Sequence, residues 1–338
     1  MPDALVLAGA VAKGAFTAGA LSALTEPATR ARLGLDVVRI VGTSSGALNG
    51  AFYAAAIRAG TQASAGARLV QLWLDDATVR GAFQFSLRDL ARGRGLSNDR
   101  RILEVLRQQI HPTAGRNPIE LRLVLTNADG EPAVVDGARV TTFEHVVRLS
   151  GEDFDTQAAL ERVFVAVAAS AALPVVYAPV ALELRGRAVH GLDGGLVDDT
   201  PLGHALEGAT AITRAFVIAP LPLVHAPVPN LRGLALASRV IDIVVDQPLV
   251  RDLRRAARVN RVLAELPSLV ADPAERAAVI EALGWTGRRQ VQIVEIRPDA
   301  ELPGNALSGF ASRDLRAQYV RAGVVAARRA VEAILDSR

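Results

Sequence analysis

The chain contains no cysteine. That excludes a disulfide framework, a thiolate nucleophile and cysteine-ligated zinc. It fits a reducing compartment without demanding one. Lysine is almost missing too: the basic residues are nearly all arginine, and Lys13 is the single lysine. Aromatic residues make up only 4% of the chain and net charge is only +3. No basic motif interleaved with aromatics appears, so nucleic acid is not an expected partner. A leader is also missing from the expectation. The apolar start has Asp3 where a basic segment would stand, and Lys13 breaks the apolar run. We therefore expect no signal peptide and a cytoplasmic protein, with peripheral membrane contact open. One stretch without charge, Val163 to Leu182, is long enough to span a bilayer. Pro174, Pro179, Ser170 and Tyr177 interrupt it, so it reads as a buried helix, turn and strand.

What is present is a globular chain of 338 residues, half of them hydrophobic, long enough for a large core. Short β-branched or apolar runs at Ala4–Ala8, Val37–Val41, Leu121–Thr126, Ala133–Val135, Val175–Leu184, Ala215–Ala219 and Val291–Ile296 read as strands. Asn127–Gly130 reads as a turn between two of them. Helical patterns cover Gly14–Leu24, Ala47–Ile57, much of 60–110 with a cap at Ser97 or Asn98, Glu161–Ala171, most of 231–283, and 312–335. Alternation of strands and helices predicts an α/β sheet. Composition shifts at Pro227 and Pro229, which divides the expectation into a catalytic core over 1–225 and a mainly helical extension over 226–338 packed on it.

Three short patterns carry chemistry. Gly42-Thr43-Ser44-Ser45-Gly46 is G-x-S-x-G between a β-branched strand and an alanine-rich helix. Its glycines let backbone pass close to a serine on a tight turn, and the helix start points free N–H groups at that serine. Gly9-Ala10-Val11-Ala12-Lys13-Gly14 also joins a strand to a helix. Such a turn can aim amides at a developing oxyanion, and it fits neither common phosphate-loop pattern. Gly191-Leu192-Asp193-Gly194-Gly195 lets backbone turn tightly around a carboxylate, although Asp-Gly turns are common in loops.

Taken together, in this order, the three patterns resemble the patatin-like phospholipase family. Lys13-Gly14 is similar to the end of that family's glycine-rich loop. Ala169-Ser170-Ala171-Ala172-Leu173-Pro174 is similar to its A-S-x-A-x-P stretch, and Asp193 to Pro201 is similar to its D-G-G-x-x-D-N-x-P pattern. The resemblance covers about residues 4 to 222. It implies a three-layer α/β/α fold with a central, mostly parallel sheet and a C-terminal helical extension. It also implies a lipid or ester substrate and a Ser44–Asp193 dyad without histidine. Gly9 to Gly14 would be the oxyanion loop, Gly42 and Gly46 the nucleophile elbow, and Gly194 and Gly195 the aspartate turn. No cofactor and no metal are expected. His204, Asp198 and Asp199 do not form a recognised ligand spacing. Two departures stand out: Ala10 and Val11 replace glycines, and Asp199 replaces an asparagine. An acyltransferase and a catalytically degenerate lipid-binding protein stay open as alternatives.

A Ser-His-Asp hydrolase is a further competitor, because His204 and His225 follow Asp193. The other histidines are His111, His145 and His190. Against it, Ser44 follows only the second expected strand. Trp73, Phe83 and Phe85 cluster as core residues or as the cover of an acyl pocket. Arg251, Arg254, Arg255, Arg258 and Arg261 fall at near-helical spacing, as a solvated face or an anionic-lipid footprint. Nothing in the pattern indicates an oligomeric state.

Overall fold

The structure is a computed structural model, and it describes all residues except 79–99, 136, 175, 185, 209, 223, 226–231, 306 and 338. Five strands form a parallel block: β3 (Glu120–Val135), β2 (Asp36–Thr43), β1 (Pro2–Leu7), β7 (Arg214–Ile218) and β8 (Gln292–Ile296), in that spatial order. An antiparallel flank, β5 (Val180–Leu184) and β6 (Arg187–Asp193), joins through β3, and β4 (Ala138–Ser150) also pairs with β3.

Strand β1 is buried on both faces, as a central parallel strand requires. Leu5 and Leu7 enter one core with Phe216, Ile218 and the helices α1 (Gly14–Leu24), α3 (Ser45–Arg58) and α4 (Gln62–Asp75). Ala4, Val6 and Ala8 enter a second core with α7 (Leu202–Leu206) and Leu249 of α8 (Gly233–Leu269). Helices thus cover both faces of the mostly parallel sheet, as expected. The remaining helices are α2 (Pro27–Leu33), α5 (Arg100–Gln109), α6 (Gln157–Ser170), α9 (Pro273–Ala282), α10 (Ser308–Ala311) and α11 (Arg313–Asp336). Small residues let α11 lie directly on α1. A Cβ on Gly19 would strike the Val320 carbonyl, and one on Gly323 would strike the backbone of Phe16. The sheet and the α1 layer therefore both use residues beyond 225.

Within the uncharged stretch 163–182, residues 163–170 are the end of buried α6 and 180–182 the start of β5. Among the described residues, no helix is long and apolar enough to cross a membrane.

Two expectations need correction. Asn127–Gly130 is no turn between strands: β3 runs through it, with a register shift between Thr126 and Glu131. The chain reverses instead near Gly137, whose φ of +80° suits glycine. Strands β4 and β6 were not expected from sequence. Much of β4 is exposed or half-buried, so the apolar run that marks a buried strand is missing. The expected cap at Ser97 or Asn98 lies outside the described residues.

Candidate active site

The register of β3 is what assembles the site. Val124 pairs with Thr43 on one side, and the next residue, Leu125, pairs with Asp193. Ser44 follows Thr43 directly. Two segments 149 residues apart thereby meet across adjacent positions of one strand, and Ser44 Oγ donates a 2.7 Å hydrogen bond to Asp193 Oδ2. Both residues are buried.

Ser44 sits at φ +53°, ψ −122°, between β2 and α3. The close packing behind it explains the flanking glycines. A Cβ on Gly42 would lie 2.6 Å from the Gly46 carbonyl oxygen, and one on Gly46 would enter the Leu7 carbonyl group. The Ser44 N–H donates to Ser170 Oγ at 3.0 Å, and Ser170 Oγ donates to the Val124 carbonyl at 2.6 Å. The alanine- and serine-rich end of α6 is thus a strut under the elbow. Sequence placed Ser170 in a motif but gave it no role.

Asp193 is held from three sides. Its N–H donates to the Ala172 carbonyl, its carbonyl accepts from Thr126 Oγ1, and its Oδ1 accepts from the Gly195 N–H. Gly194 passes so close to the Val124 carbonyl that no Cβ would fit. Burial pushes the Asp193 carboxyl up from 3.8 to about 6, and the hydrogen bonds from Ser44 and Gly195 oppose this only in part.

The Gly9–Gly14 segment lies beside the elbow. A Cβ on Gly9 would come 3.0 Å from Ser44 Cβ, and one on Gly14 would overlap Trp73 and Ser45. The Gly9 N–H is engaged with the Asp199 carbonyl, and the Ala10 N–H with Ser45 Oγ at 3.0 Å. Val11 sits at φ +53°, in the left-handed region that a β-branched residue tolerates badly. Among the described residues, only Val11 and Ser44 combine a side chain with positive φ, and strain of this kind concentrates at functional sites. Among the described residues, the Val11 N–H has no acceptor. Ala12 and Lys13 form one turn of 3₁₀ helix with Val11.

Beside the dyad opens an apolar cavity of about 100 Å³, walled by Leu48, Leu72, Trp73, Leu173, Tyr177 and Phe310. Trp73 serves the core and the cavity at once. It is 4% exposed, and its Nε1 donates to Asn49 Oδ1, while Asn49 Nδ2 donates to the Gly14 carbonyl. Phe83 and Phe85 lie outside the described residues. The arginines Arg251, Arg254, Arg255, Arg258 and Arg261 are all exposed on α8.

Among the described residues, no histidine hydrogen-bonds Ser44 or Asp193. His145 meets Glu131, His190 meets Asp129, His204 meets Glu144 and Glu207, and His225 meets Glu301. A Ser-His-Asp arrangement therefore does not form. Asp198 and Asp199 are buried just past the aspartate turn. Asp198 is tied to the elbow through its carbonyl, which accepts from Thr43 Oγ1.

A profile of the family described as Patatin-like phospholipase matches residues 5–206. Among curated proteins, none matches the chain. Among solved structures, the crystal structure of VipD from Legionella pneumophila is similar at 13% identity and a TM-score of 0.42, over 98% of this chain and 66% of that one. The chain thus spans just under two thirds of that protein's length.

Proposed function

Because the chain belongs to the patatin-like phospholipase family, we propose that it is a lipid acyl hydrolase acting through Ser44 and Asp193. The observation that carries this reading is the buried 2.7 Å hydrogen bond from Ser44 Oγ to Asp193 Oδ2, at a strained turn that faces an apolar cavity.

An ordinary aspartate is too acidic to take a proton from a serine hydroxyl efficiently. Raised to about 6 by burial, Asp193 is a stronger base and still largely ionised at neutral pH. In the proposed sequence it takes the Ser44 proton as Oγ attacks the ester carbonyl. The oxyanion is met by the Val11 N–H and by the first two amides of α3, those of Ser45 and Gly46, whereas the Ala47 N–H is already engaged by the Ser44 carbonyl. Ala10 joins only by exchanging Ser45 Oγ for the oxyanion. Collapse expels the alcohol, which takes the proton from Asp193. Water, deprotonated by Asp193, then attacks the acyl-enzyme and frees the acid and Ser44. The apolar cavity would take the acyl chain, and the exposed arginine row of α8 supports peripheral contact with anionic lipid.

Hydrolysis of a short p-nitrophenyl ester and of phospholipid vesicles should fall at least ~1,000-fold in Ser44→Ala and in Asp193→Asn. A fluorophosphonate should label wild type at Ser44. Full esterase activity in Ser44→Ala would end the assignment, and failure to label would favour a lipid-binding protein. Product analysis with an added alcohol acceptor separates hydrolysis from acyl transfer. Flotation with anionic and neutral liposomes tests the arginine row.

A further inference from the structure

The region behind the aspartate turn has a charge problem that the dyad does not explain. Three elements converge there: Glu144 from β4, Asp198 from the segment after Gly195, and His204 from α7. One ligand-type atom from each lies within 4.8 Å of the others. Asp252 of α8 adds a further carboxylate, whose Oδ2 accepts the Gly203 N–H. Among the described residues, His204 is the one cationic partner of Glu144, and Asp252 has none. Arg122 and Arg148 are nearby, but Arg122 pairs with Glu120 and Arg148 with Glu207.

Asp198 supplies an independent observation. It keeps only 9% of its surface exposed. Its Oδ1 is buried and, among the described residues, accepts no hydrogen bond. A buried carboxylate oxygen without a donor is costly. A cation held together with Glu144 and His204 would meet that cost.

We propose that Glu144, Asp198 and His204 form a binding site for one divalent cation of the Zn²⁺ or Mn²⁺ class, separate from the Ser44–Asp193 chemistry. Two carboxylates and one imidazole suit such borderline cations better than an oxygen-only set would. Ligands held tetrahedrally at about 2.1 Å from an ion stand about 3.4 Å apart, so side-chain shifts of about an ångström close the triad. The ion displaces the 2.6 Å contact between His204 Nε2 and Glu144 Oε1, and gives the buried Asp198 carboxylate a cationic partner. The site bears on the active site through the backbone. The Asp198 N–H donates to the Gly194 carbonyl, and the Asp198 carbonyl accepts from Thr43 Oγ1. A bound ion would cross-link β4, the aspartate turn and α7.

The test uses the full chain, stripped with chelator and dialysed at pH 8. Titration with Mn²⁺, followed by loss of the free-ion electron paramagnetic resonance signal, should give one site per chain, and Zn²⁺ calorimetry the same stoichiometry. Glu144→Gln and His204→Gln should each weaken binding at least tenfold, whereas Asp129→Asn, at an exposed carboxylate beside His190, should leave it unchanged. Mg²⁺, which prefers oxygen donors, should bind at least tenfold more weakly than Mn²⁺. Absence of a stoichiometric site in wild type, a result that depends on no variant, would overturn the proposal. So would equal affinity in Glu144→Gln and His204→Gln, or equal affinity for Mg²⁺.

Discussion

A buried base is an unstable base, and Asp193 makes the cost measurable. Asp193→Asn keeps the shape of the side chain. Its carbonyl oxygen can still accept the Gly195 N–H, and its amide can face Ser44 Oγ. What it removes is ionisation. In the folded chain the carboxyl titrates at about 6, against 3.8 when exposed. The sign follows from linkage: a folded-state value above the unfolded one makes stability fall as pH rises between the two. The wild type therefore loses ~3 kcal/mol on going from well below pH 4 to well above pH 6, relative to a side chain that cannot ionise. Between pH 4.5 and 8 the part still to be lost is ~2 kcal/mol. Unfolding entropy for a chain of this length is about 0.7 kcal/mol/K, so this corresponds to about 3 °C in melting temperature. Melting curves of both proteins at half-unit steps of pH should show the variant gaining on the wild type by that amount, mostly below pH 6.5. All other titrations cancel in the difference. A flat difference, or one that shrinks with pH, would refute the idea that Asp193 is a desolvated carboxylate.

Three more outcomes follow from the same geometry. Esterase kcat/KM should rise about tenfold per pH unit below about 6 and level off above it, since the base must be ionised; activity already flat from pH 4.5 would contradict this. Ser170→Ala leaves the buried Ser44 N–H and Val124 carbonyl without their partner, at ~2–4 kcal/mol, so melting should drop by several degrees and kcat should fall with it. Gly46→Ala drives a Cβ into the Leu7 carbonyl and to 2.8 Å from the Ala8 oxygen, and should cost at least ~3 kcal/mol, visible as lost soluble yield or a melting temperature several degrees lower.

Much of the fold was legible because its signals are local. The apolar runs at β1, β2 and β7 mark largely buried strands, and the glycines around Ser44 mark a turn whose neighbours leave no room for a Cβ. Strands β4 and β6 escaped notice for the opposite reason. They lie in the antiparallel flank, where exposed and buried residues mix along each strand. Missing β4 hid Glu144, and the pairing of His204 with a residue 60 positions away could not be read from spacing. Val11 is instructive in another way. Its departure from glycine signalled trouble for a left-handed backbone, and the structure keeps that backbone, with φ at +53°.

The sequence by itself determined the chemical inventory and its order: one serine at a strained elbow, one aspartate in a glycine turn, no cysteine, and a loop with valine where glycine is easier. These depend on residue types and on steric rules acting over a few neighbours. The tertiary structure decided which of those groups meet. Ser44 reaches Asp193 because β3 pairs with β2 through Val124 and with β6 through Leu125, and that register is a property of the whole sheet. The same packing removes water from Asp193 and raises its affinity for a proton, which no local pattern encodes, because desolvation depends on everything that surrounds the group.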